Sequence, residues 1–158
     1  MTSAPFQSIA VIGAGTMGSG IAAQIANAGH HVLLLDLGAK DSTSKAPALA
    51  ALERLLASDP PQLMHKSYVE RITPGIIDED FGKLAGCDWI IEAVVERLDI
   101  KKALYQQLND IISADCIVSS NTSTIPIRLL VEGMPTDFQQ RFAITHYFNP
   151  VRYMRLLE

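Results

Sequence analysis

The feature that most constrains this chain is Gly13-Ala14-Gly15-Thr16-Met17-Gly18, set between an apolar run and a helical pattern. Glycines in a G-x-G-x-x-G spacing are common in turns, so the context carries the weight. Gln7 to Ile12 reads as a short buried strand ending at glycine. Thr16 to Ala28 reads as a helix with Met17, Ile21, Ile25 and Ala28 on one face, stopped by Gly29. His31 to Leu35 is a second continuous apolar run, as in a strand buried on both faces, and Asp36 ends it. In such a unit the first glycine permits a tight turn. The second lets the backbone approach a pyrophosphate, and the third lets helix and strand pack closely. The amides that open the helix, those of Thr16 and Met17 among them, have no intrahelical partners and sit at its positive end, a ready anion site. A carboxylate at Asp36 accepts hydrogen bonds from ribose hydroxyls and repels a 2'-phosphate. Leu37 and Gly38 follow it, with no arginine to take that phosphate. Lys40 and Lys45 fall in a polar loop expected from Leu37 to Pro47. NAD is therefore expected over NADP.

The remaining chain alternates helix and strand patterns. Ala48 to Ala57 reads as a helix, and Pro60-Pro61 then breaks the pattern. Val69 to Thr73 reads as a short strand, Asp88 to Ala93 as a stronger one, and Ile100 to Ile112 as an amphipathic helix. Cys116 to Ser119 is a strand, while Phe142 to Tyr147 and Tyr153 to Leu157 read as extended segments. This alternation predicts an α/β fold of Rossmann type: a doubly wound, mostly parallel sheet with helices on both faces. The 158 residues suffice for one such domain. A net charge of -4 argues against nucleic acid as a partner, because phosphate binding rests on clustered Lys and Arg. No apolar run approaches the roughly 18 to 20 residues of a membrane span. Met1 to Ser8 lacks the pattern of a secretory leader. Cys87 and Cys116 sit in apolar stretches without metal or redox spacing, so no metal site is expected and a reducing cytoplasm fits best.

The second half holds the candidates for chemistry. Glu92 and Glu96 flank the end of one strand, where ligands sit in a parallel sheet. Lys101 opens the next helix, and Ser119-Ser120-Asn121-Thr122-Ser123 follows the next strand. Each of these is equally compatible with a cap or a loop. His146 follows a strand and precedes the turn signal Asn149-Pro150, so the chain can reverse and bring Glu158 beside it. A carboxylate partner fixes the imidazole tautomer and raises its basicity, which suits a general base. A structural histidine fits the same residues.

Four segments resemble the NAD-binding domain of the 3-hydroxyacyl-CoA dehydrogenases of fatty-acid β-oxidation. They are Val11 to Ala22, Glu92-Ala93-Val94-Val95-Glu96, Ser119 to Ser123 and His146-Tyr147-Phe148-Asn149-Pro150. The stretch from Asp88 to Lys101 looks most like bacterial chains that join this activity to an enoyl-CoA hydratase. The resemblance implies interconversion of (S)-3-hydroxyacyl-CoA and 3-oxoacyl-CoA. His146 would be the base, Glu158 its partner, and Ser123 and Asn149 the contacts to the substrate oxygen. It also implies that Ala93, Glu96, Lys101 and Asn121 line the NAD site beside Gly13, Gly15, Thr16, Met17, Gly18 and Asp36. The family motif usually has Phe where Tyr147 stands, which keeps the aromatic bulk. Residues 1–158 are then expected to be the NAD-binding part of a longer, oligomeric parent, with a helical substrate and dimerisation domain lying outside them. The alternatives are a non-catalytic dinucleotide-binding module and a dehydrogenase of a small free 3-hydroxy acid.

Overall fold

Six parallel strands form a single sheet in the order β3-β2-β1-β4-β5-β6. The computed structural model describes residues 6–38 and 46–158, so Lys40 and Lys45 lie outside the described residues. The strands are β1 (Ile9–Ile12), β2 (Val32–Asp36), β3 (Ile72–Ile76), β4 (Trp89–Glu92), β5 (Ile117–Ser120) and β6 (Phe142–Ile144). Between them lie α1 (Thr16–Asn27), α2 (Ala46–Ala57), α3 (Ile77–Asp80), α4 (Leu98–Asn109), α5 (Ile127–Leu130) and α6 (Thr136–Gln140). The winding starts at β1 and runs outward to β3, then returns to the other side of β1 at β4. That reversal puts a crevice outside the carboxyl ends of β1 and β4, the place where α/β sheets bind ligands.

The alternation of side chains along β1 divides the core in two. Ile9 and Val11 face one way and pack with Ile21, Ile25 and Leu55 from α1 and α2. Ala10 and Ile12 face the other way and pack with Leu104, Leu108, Leu130 and Phe138 from α4, α5 and α6. Helices thus cover both faces, as parallel strands require because neither face is polar. Cys87 and Cys116 are free and buried in the second of these clusters. Burial raises both thiols above their ordinary value, so they behave as inert apolar groups.

Two expectations need correction. The third strand is displaced toward the carboxyl end from Val69–Thr73 to Ile72–Ile76, and Val69 belongs to a 3₁₀ helix, Lys66–Arg71. Pro74 is tolerated in the strand because β3 pairs only with β2 and forms the sheet edge. The final extended segment is reduced to one antiparallel bridge, Tyr147 with Leu157, because residues after Pro150 form a turn first. Among the described residues no helix is long and apolar enough to cross a membrane.

Candidate functional site

The crevice is built first by what glycine leaves out. Gly13 has φ +105°, and a Cβ there would stand 2.5 Å from the Ala93 carbonyl oxygen, so the position is closed to other residues on both counts. A Cβ at Gly18 would lie 1.7 Å from the Gly13 carbonyl oxygen, so only glycine lets α1 sit this close to the turn. At Gly15 a Cβ would meet nothing within 4 Å, which leaves the helix mouth open to a ligand. Gly15 is the N-cap of α1; no side chain caps the helix, and its first turn has no acid. The first amides of a helix need a partner from outside it. An anion or water can supply one at this end, and the residues present fit a pyrophosphate.

Side chains hold that turn in place. Asp36 accepts from the Ala14 amide through Oδ2 and from the Leu37 amide through Oδ1. Each oxygen keeps a second lone pair for a ribose hydroxyl. From α2, Arg54 donates to the Ala14 carbonyl at 2.8 Å, so the two peptide groups flanking Ala14 are each held by a side chain. Sequence reasoning missed Arg54, because nothing in its helical position distinguishes it from a solvated charge. A cavity of about 530 Å³ runs from Gly13, Gly15 and Asp36 past Ile77 and Ala93 to Ile100 on α4. It is mostly apolar and fits an adenosine half. On α4 the stripe Ile100, Ala103 and Gln107 faces it, a spacing legible as one side of a helix.

The carboxyl ends of β4 and β5 are organised by charge instead. Glu92 is fully buried, and so is Lys101, 2.7 Å away. Glu92 also accepts from the Val94 amide, the Tyr105 hydroxyl and the Ser120 hydroxyl. Burial, then the Glu92 charge, push the Tyr105 phenol well above its ordinary value, so it remains a donor. Lys101 reaches Glu96 at 3.3 Å on its other side. Glu96 in turn accepts from the Thr122 and Thr124 hydroxyls and from the Ser123 and Thr124 amides. Burial pushes the Glu96 carboxyl up, but the Thr122 hydroxyl, Lys101 and Thr124 together bring it from 4.5 to about 2. Of the residues expected here, Lys101 is enclosed behind Glu96 rather than open to the crevice. Asn121 accepts from the Tyr147 amide at 2.8 Å, linking this loop to the histidine segment.

His146 and Glu158 meet as the turn at Asn149-Pro150 allows. Their backbones exchange two hydrogen bonds, and Nδ1 of His146 lies 3.3 Å from Oε2 of Glu158. Phe148 packs on the imidazole with ring centroids 4.4 Å apart. Nε2 is the nitrogen left for chemistry. Ser123 is exposed on the loop after β5. Asn149 borders a small cleft with Thr16, Ser19 and Arg54. Among the described residues no group of His, Cys, Asp and Glu is arranged to hold a metal ion.

Comparison with known proteins agrees with this fold. Residues 8–158 match the family model described as 3-hydroxyacyl-CoA dehydrogenase, NAD binding domain. A putative fatty acid oxidation complex trifunctional enzyme of Rickettsia felis is 46% identical over 151 residues, which cover 95% of this chain and 21% of that one. A probable 3-hydroxyacyl-CoA dehydrogenase of Deinococcus radiodurans is 45% identical over 150 residues, covering 94% of this chain and 43% of that one. A solved 3-hydroxybutyryl-CoA dehydrogenase of Escherichia coli superposes with a TM-score of 0.81 at 33% identity, covering 98% of this chain and 32% of that one. The chain thus spans less than half the length of these relatives.

Proposed function

Because the chain belongs to the family of 3-hydroxyacyl-CoA dehydrogenase NAD-binding domains, we propose that it serves as the cofactor-holding part of an enzyme that interconverts (S)-3-hydroxyacyl-CoA and 3-oxoacyl-CoA. The observation that carries this reading is His146, just past the carboxyl end of β6 in the same sheet as β1, set 3.3 Å from Glu158. A module that only bound nucleotide would have no use for that pair. NAD, when bound, supplies a hydride acceptor at its nicotinamide. The amides at the mouth of α1 hold the pyrophosphate, and Asp36 holds the adenosine ribose and repels a 2'-phosphate. Glu158 accepts from Nδ1–H of His146, which leaves Nε2 free to take the proton from the substrate 3-hydroxyl. Ser123 and Asn149 orient the substrate oxygen, while Asn121, through its bond to the Tyr147 amide, keeps the base in register with the cofactor wall. The acyl-CoA is closed over by a further helical part of a longer, oligomeric protein, in keeping with the greater length of the relatives.

The test has two stages. In titration calorimetry, NAD is expected to bind this chain and NADP to bind far more weakly or not at all; preference for NADP would overturn the reading. The chain is then fused to the carboxyl-terminal portion of the Deinococcus relative. The fusion should oxidise NADH with acetoacetyl-CoA, and much more slowly with free acetoacetate. His146→Ala should lower that rate by about 10² to 10⁴ while leaving NAD affinity unchanged. Equal use of free acetoacetate would point to a small 3-hydroxy acid instead.

A further inference from the structure

The buried cluster at the ends of β4 and β5 has a charge that the proton chemistry does not use. Two carboxylates, Glu92 and Glu96, share one ammonium, Lys101. Among the described residues no other cation pairs with either carboxylate. The cluster therefore carries one net negative charge. Glu92 accepts four donors, the full capacity of a carboxylate. Glu96 is held ionised at neutral pH by its hydroxyl and amide donors. Glu92 and Lys101 are excluded from water, so their field is weakly screened, while solvent screens part of the charge on Glu96, whose side chain is 38% exposed.

The side of the crevice it faces follows from the layout. The apolar cavity that takes the adenosine half begins beside Asp36 and Ile77, at the ends of β2 and β3, and reaches Val95 and α4. The hydride acceptor must lie near the base, and His146 stands on the β6 side. Glu96, fixed to the Thr122–Thr124 loop, lies on that half of the crevice. A nicotinamide ring carries a positive charge when oxidised and none when reduced.

We propose that Glu92, with Lys101 and Glu96, makes the nicotinamide side of the crevice net negative and so favours the oxidised cofactor over the reduced one. Glu92 acts through its neighbours; it is a positioning and electrostatic residue, not a catalytic one. The proposal rests on the NAD-binding reading above.

The test measures Kd for NAD and for NADH on the full chain and follows their ratio. Glu92→Gln keeps the shape and removes one negative charge, so it should weaken NAD relative to NADH by about fivefold. Lys101→Met combined with Glu92→Gln restores the net charge, and its ratio should return to within about twofold of the starting chain. Tyr105→Phe removes a hydrogen bond from the same hub without changing charge and should leave the ratio alone. A ratio unmoved by Glu92→Gln, or moved as much by Tyr105→Phe, overturns the proposal. If circular dichroism finds Glu92→Gln unfolded, Glu96→Gln makes the same charge change at a partly exposed position and decides in its place. If the unsubstituted chain binds neither form, the reading beneath this one fails; if it binds both and the ratio stays fixed, only this proposal does.

Discussion

The two sides of the crevice are made by opposite means. Around β1 and α1 the work is done by missing side chains: Gly13, Gly15 and Gly18 let backbone amides and a helix end approach a phosphate. At the ends of β4 and β5 the work is done by buried, fully partnered side chains, with Glu92 at their centre. At Gly13 and Gly18 the first side has no room for an added atom, while the second depends on charges that stay paired. A diffuse anion such as a pyrophosphate is met well by many weak, fixed dipoles. A ring that is charged when oxidised and neutral when reduced would be met better by a localised charge.

This contrast predicts a ranking of damage. Gly18→Ala should be the most severe change, because its Cβ would fall 1.7 Å from backbone that cannot yield. We expect a loss of at least about 4 kcal/mol in stability, together with loss of measurable NAD binding. Chemical denaturation and calorimetry on the same sample check both. A stable variant that still bound NAD would mean that α1 can move away from the turn at little cost, and the contrast between the two sides would weaken.

Lys101→Ala comes next. It strands Glu92 in a site without water, at a cost of about 3 to 5 kcal/mol. Replacing both members by Glu92→Gln and Lys101→Met should cost clearly less than the single loss, since no unpaired charge remains. Denaturant midpoints for the three chains sharpen the comparison. If the double variant were the least stable of them, shape would matter more than charge on this side.

The asymmetry also explains what could be read from the residues alone. Gly13 to Gly18 is contiguous, and Asp36 closes the same β-α-β unit, so spacing carried both the turn and the fold. His146 and Glu158 were within reach for the same reason: one turn at Asn149-Pro150 joins them, and the pairing at 3.3 Å follows. The hub around Glu92 draws Tyr105 and Ser120 from two further elements, and no local pattern marks a buried carboxylate at a strand end. Lys101 was visible as a helix-start residue, yet its enclosure between two acids depends on how α4 lies over β4. Arg54 was silent because its target is a main-chain carbonyl contributed by the first turn. The β3 boundary slipped because Pro74 breaks an interior strand but not an edge.

The smallest effect concerns acid. Glu96 falls from an ordinary value of 4.5 to about 2 in the folded chain, so folding favours its ionised form. A carboxyl lowered in this way contributes stability at pH above about 4.5, and the contribution drains away as pH falls toward 2. The side chain is 38% exposed, so solvent screens much of the gain, which we place below about 1 kcal/mol. Urea midpoints of the unsubstituted chain and Glu96→Gln should therefore differ by a constant amount near neutrality and converge between pH 4.5 and about 2. A gap that held constant across that window would assign the cost of Glu96→Gln to lost hydrogen bonds to the Thr122–Thr124 loop. Charge would then be confined to the fully buried Glu92–Lys101 pair. Convergence would extend the electrostatic side of the crevice out to the exposed loop at Ser123.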